Sequence, residues 1–318
     1  MGDQDSLAAI CRASFPESRS WRWKLWSPND SVWYERIREL WEEQSKKIES
    51  IEKADGNPTI PLLIHQIWLG SAKRPEICDQ FAETWRTRHP QWEYRLWTDK
   101  DAAVILQHHP GLLQAFEAAS NPAEKSDILR LVIVLEQGGL YVDMDFECLR
   151  PLDELHHATS FYTGVSNVGA FELNNGLFAA APRHPLVAFY CEHVGKPWPE
   201  WGQDDVEPGE AVAHQLQRSG MLGVELAKGK ASFIADTGPG FFTRATMRAL
   251  PLVAGSADLA APAAPAAPIL ICPPEVFYPL PNSDRTSPLE EIIKYRTESS
   301  VAIHHWLRTW AESEGFEK

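Results

Sequence analysis

The sequence predicts an α/β fold with a largely parallel sheet. Apolar, strand-like runs alternate with segments of helical periodicity: IPLLIHQIWLG begins at Ile60, and WEYRLWTD begins at Trp92. A third strand-like run, LYVDMDFE from Leu140, follows a long apolar helix that two glycines bring to an end. Alternation of this kind is typical of a sheet whose faces are covered by the connecting helices.

Composition sets the broad class of protein. With 318 residues, 44% of them hydrophobic, the chain can bury a full core. The 30 Lys and Arg against 44 Asp and Glu give a net charge of -14, so we expect no nucleic-acid partner. An anionic small molecule would need a local cation, either a basic side chain or a metal. The five cysteines are widely spaced without a C-x-x-C pair, which argues against a disulfide framework and a zinc site.

Residues 1–58 are predicted to form a helical extension ahead of the main domain, residues 59–318. From Ser31 to Lys53, apolar residues recur near helical spacing with charges of both signs between them. We expect this helix to dock on the main domain. A partner-binding or membrane-surface helix is the alternative, which the lack of a basic bias disfavours.

The sequence also bears on location. No segment approaches the roughly 18 consecutive apolar residues of a membrane span, and the N-terminus lacks a basic region followed by an apolar one. We therefore expect a soluble chain without a transmembrane segment, in the cytoplasm. The Golgi lumen is the alternative if an anchor has been removed.

The segments between the predicted strands are helical. A helix is predicted around Ile77 to Arg88, and further helical stretches run through Ala119. From Ala123, AEKSDILRLVIVLEQGG predicts a helix that is apolar nearly all round and therefore buried. Its two closing glycines supply the backbone conformation that ends it.

An Ala/Pro-rich stretch, GSADLAAPAAPAAP at residues 255–268, cannot form a packed core. Apolar sequence resumes directly after it as ILIC. We interpret the stretch as an exposed insertion within the main domain.

Deleting Ser256 to Ala267 should therefore leave the melting temperature and the turnover of the protein nearly unchanged, because an exposed insertion contributes no core contacts. Thermal unfolding and an activity assay check this. A collapse of either quantity would show that the stretch packs on the domain.

Two carboxylates one residue apart mark the third strand-like run. On a strand, side chains two residues apart project to the same side, so Asp143 and Asp145 would point together. Like charges this close raise each other's pKa unless something positive lies beside them. A divalent cation at the carboxyl end of the strand satisfies that requirement. The alternative is that both are solvated turn residues.

Further polar residues stand in apolar surroundings. Asp127 and Arg130 lie one turn apart on the apolar helix, where burying either without a partner would cost several kcal/mol. They form either an internal salt bridge or part of a polar-ligand pocket shared with the two carboxylates. Trp68, at the end of the first strand, is either a packing residue or a stacking platform for a planar base.

Six segments together carry a family resemblance: IPLLIHQIWLG, HPQWEYRLWTD, KSDILRLVIVLEQGGLYVDMD, NNGLFAAAPRHP, GPGFFT and IHHWLRTW. They resemble glycosyltransferase family 32, which includes initiating α-1,6-mannosyltransferases, inositol-phosphoceramide mannosyltransferases, and α-1,4-hexosaminyl- and galactosyltransferases. The central block also resembles the sugar-transferring domain of the large clostridial toxins. The resemblance implies a GT-A fold, in which a Rossmann-like nucleotide-binding half is merged with an acceptor half.

The resemblance also implies an activity: metal-dependent transfer of a hexose, of the mannose, glucose or galactose type, with retention of configuration. The donor would be a UDP- or GDP-sugar, and the acceptor a hydroxyl of a glycan, lipid or small molecule. The cofactor would be Mn²⁺ or Mg²⁺. Asp145 would ligate the metal directly, and Asp143 would assist it and contact the ribose. His304 or His305 would close the metal and diphosphate site, and the choice between them stays open.

The remaining implied roles concern the donor. Trp68 would stack on the base, while Asp127 and Arg130 would hold the ribose and the sugar hydroxyls. Asn174 and Asn175 fall where the family has polar residues near the transferred sugar.

Two other functions compete with this one. A haloacid-dehalogenase-like phosphatase also has a hydrophobic strand ending in D-x-D, but it expects Thr or Val where this chain has Glu147. A non-catalytic nucleotide-sugar-binding protein would retain the same motif residues.

Overall fold

The computed structural model describes residues 6–16, 28–49, 57–168, 171–196, 236–254 and 267–307. Most of the Ala/Pro-rich stretch, predicted to be an exposed insertion, lies outside these residues.

Helices and strands alternate as predicted. In chain order they are α1 (Ser6–Cys11), α2 (Pro28–Glu49), β1 (Leu63–Ile67), α3 (Glu76–Arg88), β2 (Glu93–Trp97), α4 (Asp99–Leu106), α5 (Pro110–Ala118), α6 (Pro122–Gln137), β3 (Gly139–Val142), β4 (Phe146–Cys148), α7 (Asp153–Ala158), β5 (Phe161–Val165), β6 (Leu173–Ala180), α8 (Pro185–His193), α9 (Pro239–Ala254), β7 (Ile269–Cys272), α10 (Pro274–Phe277), α11 (Leu289–Ile292) and β8 (Ala302–His304). Among the described helices, none has the length and apolar character needed to cross a membrane.

The main sheet has six strands in the order β2-β1-β3-β6-β5-β7. Strand β1 is parallel to β2 and β3, and β5 is parallel to β7, whereas β6 runs antiparallel to both β3 and β5. The α/β class is thus confirmed, but the sheet is mixed rather than largely parallel. The connection from β5 to β6, residues 166–172, is too short for the crossover of a dozen or more residues that parallel neighbours need.

A second, two-stranded sheet pairs β4 with β8. Because β4 follows β3 after a three-residue turn, this small sheet places the end of β8 beside the end of β3. Residues about 160 positions apart in sequence, such as Asp145 and His304, therefore become neighbours.

Helix α6 forms the buried layer against the sheet. Its first turn is capped by the side chain of Asn121, and it ends at Gly138, which has a φ of 64°. Gly139 follows with a φ of 93°, and a Cβ there would lie 2.6 Å from the carbonyl oxygen of Leu63. Residues 127–134 are all buried, which confirms the predicted all-round burial of this helix.

The predicted N-terminal helix is α2, and it docks on the main domain as expected. It packs on β7, and its buried residues Ile37 and Trp41 belong to the same core as the sheet. The Trp41 Nε1–H donates to the carbonyl of Ala13, 3.1 Å away, which ties α2 to the chain after α1. The domain boundary at residue 58 stays a prediction.

Three buried histidines in this core are held as neutral rings. His65 Nε2 donates to the carbonyl of Gly138 and its Nδ1 accepts from Trp97 Nε1, at 2.9 and 3.1 Å. His156 Nδ1 donates to the carbonyl of Pro61 at 2.9 Å, and its Nε2 lies 2.9 Å from the Tyr162 hydroxyl, which can donate or accept. The third is His89, whose Nε2 accepts from a backbone N–H. Since a protonated ring has no acceptor, the patterns of His65 and His89 require the neutral form, and burial favours the neutral form of His156 by lowering its pKa.

Burial lowers the pKa of His65 to about 4 and that of His156 to about 3, against the carbonyl hydrogen bonds that raise both. In the unfolded chain these histidines bind protons near pH 6.5, whereas in the folded chain they stay neutral at that pH. The contribution of the neutral rings to the free energy of unfolding is therefore complete above about pH 6.5 and is lost as the pH falls toward the folded pKa.

Replacing His156 with Gln should reduce the pH dependence of stability. Between pH 7 and pH 5, we expect the wild type to lose about 2 kcal/mol more unfolding free energy than His156→Gln, since one titrating ring is removed. Urea unfolding at a series of pH values measures this. The exposed His108→Gln serves as the control and should follow the wild type. Parallel curves for His156→Gln and wild type would contradict the prediction.

Candidate active site

The two aspartates lie in a turn and not, as predicted, on a continuous strand. Strand β3 ends at Val142, and residues 143–145 turn the chain into β4. The strand stops there because the chain leaves the main sheet to pair with β8: the Asp143 N–H still bonds to the Gly176 carbonyl of β6 at 2.8 Å, but Asp145 is bonded through its carbonyl to His305 N–H. The turn nevertheless brings both carboxylates to the carboxyl end of β3.

The structure separates the two adjacent histidines. His304 Nε2 lies 3.1 Å from Asp145 Oδ1, whereas His305 Nε2 lies 3.1 Å from Glu147 Oε2. The ring of His305 also stacks on Phe81, with 4.2 Å between centroids. Neighbouring side chains of an extended segment point in opposite directions. His304 therefore joins the carboxylates of the aspartate turn, whereas His305 faces Glu147. The choice of metal ligand between the two histidines stays a prediction.

The donor atoms of Asp143, Asp145 and His304 lie within 4.8 Å of one another. Carboxylate oxygens suit Mg²⁺ and Mn²⁺, and an imidazole nitrogen shifts the preference toward a transition metal such as Mn²⁺. Within the described residues, the buried Nδ1 of His304 has no hydrogen-bond partner, unlike the fully bonded core histidines. Two like charges beside a ring with one unbonded nitrogen fit a divalent cation.

The two carboxylates have different electrostatic surroundings. Burial raises the pKa of Asp143, and the charge of Asp145 adds to this, against the opposing effect of Arg130. Burial also disfavours the charge on Asp145, but the charge and hydrogen bond of His304 outweigh it and hold its pKa below the usual range. The Leu307 N–H adds a bond to Asp145 Oδ2 at 2.9 Å. Asp145 is thus the carboxylate more firmly kept ionised.

Arg130 connects α6 to the aspartate turn. Its guanidinium lies 3.1 Å from Asp127 Oδ1 and 3.2 Å from Asp143 Oδ1, and its side chain is only 6% exposed. Burial raises the pKa of Asp127 to about 6 despite the Arg130 charge. The predicted salt bridge therefore forms, and it lies next to the aspartate turn because Arg130 also pairs with Asp143. A role of this pair in a ligand pocket stays a prediction.

The two asparagines of β6 differ in what they reach. Asn175 Nδ2 donates to Asp127 Oδ1 at 2.9 Å, and the backbone carbonyl of Asn175 accepts from Arg130 Nη1 at 2.9 Å. Asn174 Oδ1 instead accepts from the N–H of Gly176 at 2.8 Å. Asn175 thus belongs to the charged network, while Asn174 shapes the strand next to it.

Three residues that sequence reasoning missed hold Asp143 in place. The Tyr141 hydroxyl donates to Asp143 Oδ1 at 2.6 Å, and Gln66 Nε2 donates to the Asp143 carbonyl at 3.2 Å. A Cβ on Gly176 would lie 2.7 Å from Asp143 Oδ2, so a glycine is required for this close approach. For Tyr141 a signal existed, because it stands two residues before Asp143 in a predicted strand. Neither Gln66 nor Gly176 carries such a signal.

Trp68 lies directly after β1, half-buried beside the aspartate turn. It packs in a small cluster with Met144, Cys78 and Ala82, and its Nε1–H donates to the carbonyl of Ala72 at 2.9 Å. This position is compatible with a packing residue and with a stacking platform for a planar base, and the stacking role stays a prediction.

An α/β sheet that ends in an Asp-x-Asp turn, closed by a histidine, is the arrangement expected of a sugar-nucleotide-dependent glycosyltransferase. Residues 75–162 match the family model described as "Glycosyltransferase sugar-binding region containing DXD motif". The chain thus carries the DXD-containing region of these glycosyltransferases, and the resemblance is confirmed there.

Several curated relatives are named as mannosyltransferases or as mannosyl phosphorylinositol ceramide synthases. They include inositol phosphoceramide mannosyltransferase 2 of Schizosaccharomyces pombe, 28% identical over 151 residues, which are 47% of this chain and 43% of that protein. Mannosyl phosphorylinositol ceramide synthase SUR1 of Saccharomyces cerevisiae is 34% identical over 143 residues, 44% of this chain and 36% of the relative. The chain therefore spans less than half the length of these relatives.

Similar solved structures include glycosyltransferase domains of toxins. PaToxG glycosyltransferase has a TM-score of 0.41 and 17% identity, over 71% of this chain and 83% of that chain. The catalytic domain of α-toxin from Clostridium novyi has a TM-score of 0.39 and 11% identity, over 69% of this chain and 76% of that chain.

Replacing Arg130 with Met should destabilise the fold by about 3 kcal/mol, because it leaves the buried Asp127 and the half-buried Asp143 without their cation. Adding Asp127→Asn to this variant should recover part of the loss, since one of the unpaired charges is removed. Urea unfolding at pH 7 measures both. The control Arg38→Met, on the exposed face of α2, should cost less than about 1 kcal/mol. Equal stability of Arg130→Met and wild type would contradict the buried-charge interpretation.

Proposed function

We propose that the protein is a metal-dependent glycosyltransferase that moves a hexosyl group from a UDP- or GDP-sugar to an acceptor hydroxyl, with retention of configuration. One observation carries the proposal: Asp143, Asp145 and His304 converge at the carboxyl end of β3. Retention is supported by the family resemblance.

In this proposal the three residues hold Mn²⁺ or Mg²⁺. A bound cation would act as a Lewis acid and stabilise the negative charge that builds on the departing nucleoside diphosphate. It would also let a protein of net charge -14 bind a dianion.

The neighbouring residues would orient the donor. Guanidinium N–H groups and carboxylate oxygens suit the hydroxyls of a sugar and a ribose. Arg130 and Asp127 are both buried and bonded to protein groups, so they would take up the donor by exchanging some of these bonds. Asn175 fixes the Asp127 carboxylate by its hydrogen bond, so the acceptor atoms are pre-oriented before the donor binds. Asp143 would contact the ribose as well as the cation, and Trp68 would stack on the base.

The names of the relatives suggest where to begin with substrates. Mannose is the first hexose to test, because several curated relatives are named as mannosyltransferases. Inositol phosphoceramide is the first acceptor for the same reason, ahead of glycans and small molecules. The cytoplasmic location stays a prediction.

The rival phosphatase function is weakened by the surroundings of Glu147. That position, where such a phosphatase expects Thr or Val, holds a carboxylate engaged with His305 and with Arg296, which lies 3.0 Å away. A nucleotide-sugar-binding protein without activity would have the same site residues. Only an activity assay distinguishes it from a glycosyltransferase.

The deciding experiment is a hydrolysis screen of UDP- and GDP-sugars with and without Mn²⁺. We expect one donor to be hydrolysed in a metal-dependent way, with the activity removed by a chelator and restored by Mn²⁺. Asp145→Asn should abolish that activity while the melting temperature stays near that of the wild type, because the partly buried carboxylate is replaced by an isosteric amide.

Asp153→Asn is the matched control. This aspartate accepts a hydrogen bond from Trp92 at the start of α7, so its replacement should leave donor hydrolysis intact. Binding of a sugar nucleotide without turnover would favour the sensor. Metal-independent release of phosphate from simple esters would favour the phosphatase, and full activity of Asp145→Asn would refute the metal role.

A further inference from the structure

The residues that close the aspartate cluster flank one unusual residue. Trp306 stands between His304 and Leu307, which both contact the Asp145 carboxylate. Its backbone has a φ of 55°, in the left-handed region that bulky side chains rarely adopt. Gly is the usual residue for such a conformation, so the surrounding contacts must hold Trp306 in it.

The indole ring contacts the ligand histidine. Its centroid lies 4.0 Å from that of His304, and the ring of Phe146 stacks on His304 at 4.4 Å with only 6° between the planes. The Trp306 Nε1–H donates to the Leu280 carbonyl at 3.0 Å, which anchors the indole. His304 is therefore held by two aromatic rings, with Nε2 directed at Asp145.

The backbone conformation of Trp306 positions a hydrogen-bond donor to Asp145, the second proposed ligand. Directly after the left-handed residue, the Leu307 N–H reaches Asp145 Oδ2 at 2.9 Å. An extended residue at position 306 would carry Leu307 onward along the direction of β8 and away from the carboxylate. Asp145 is thus fixed at one oxygen by His304 and at the other by this N–H.

We propose that Trp306 is a positioning residue for the metal site, acting through its ring on His304 and through its left-handed backbone on Asp145. The inference rests on the proposed function because it takes those two residues as metal ligands. Partners of this kind typically affect metal affinity by about 10- to 100-fold.

Three variants separate the two contributions. Trp306→Phe keeps an aromatic ring, Trp306→Asn removes the ring but tolerates the left-handed region, and Trp306→Val removes the ring and disfavours that region. We expect the Kd for Mn²⁺, measured by calorimetry without donor, to stay within about 3-fold for Phe, to rise about 10-fold for Asn and to approach a 100-fold rise for Val. Hydrogen exchange of the Leu307 amide should accelerate in the Val variant and not in the Asn variant.

The matched control is Trp92→Asn. Trp92 is as buried as Trp306, at 7% against 8% exposed, and its Nε1–H also donates to an oxygen, Asp153 Oδ1. It should lower the melting temperature without changing the Kd for Mn²⁺. A purely structural role for Trp306 predicts the same outcome for Trp306→Asn.

The outcomes distinguish this inference from the function on which it rests. If the wild type binds Mn²⁺ and the folded Asn and Val variants bind it equally tightly, the positioning role is overturned and the proposed function stands. If the wild type binds no Mn²⁺, both are overturned. Should the Val variant fail to fold, the Asn and Phe variants still decide the role of the ring, and an unchanged Kd in Trp306→Asn would overturn it.

Discussion

The site depends on one buried cation, the guanidinium of Arg130 between Asp127 and Asp143. Without it, α6 and the aspartate turn would bring the buried Asp127 and the half-buried Asp143 together with no compensating charge, at a cost of several kcal/mol. With it, helix α6 is joined to the end of β3 at the aspartate turn. The same interaction therefore stabilises the fold and fixes the position of Asp143.

Each aspartate of the turn is held from a different direction. Asp143 is bonded to Arg130 of α6 and to Tyr141 of β3, whereas Asp145 is bonded to His304 of β8 and to the N–H of Leu307, which follows β8. The two sheets meet at this turn, so the distance between the carboxylates is set by how the β4–β8 pair packs beside β3. Both groups are thus oriented by the protein itself, so the proposed cation would bind there with little reorganisation.

The buried histidines of the core and of the site differ in their hydrogen-bond partners. Each ring nitrogen of His65 and His156 has a hydrogen-bond partner, and burial lowers the pKa of both rings, so both are neutral. In His304, within the described residues, Nε2 faces a carboxylate and Nδ1 has no hydrogen-bond partner. The difference between these histidines therefore lies in their partners and not in burial alone.

The sequence by itself determined the α/β class, the buried helix α6 and the pairing of Asp127 with Arg130, because these follow from periodicity and short spacing along the chain. It also identified Asp143 and Asp145. The sequence pattern predicts that both side chains project from the same side of a strand, but residues 143–145 form a turn that brings the two carboxylates together instead. Only the tertiary structure showed that His304 faces Asp145 while His305 faces Glu147, that β6 runs antiparallel to its neighbours, and that Trp306 contacts His304. Those features depend on which strands pair across about 160 residues, and no local pattern encodes that pairing.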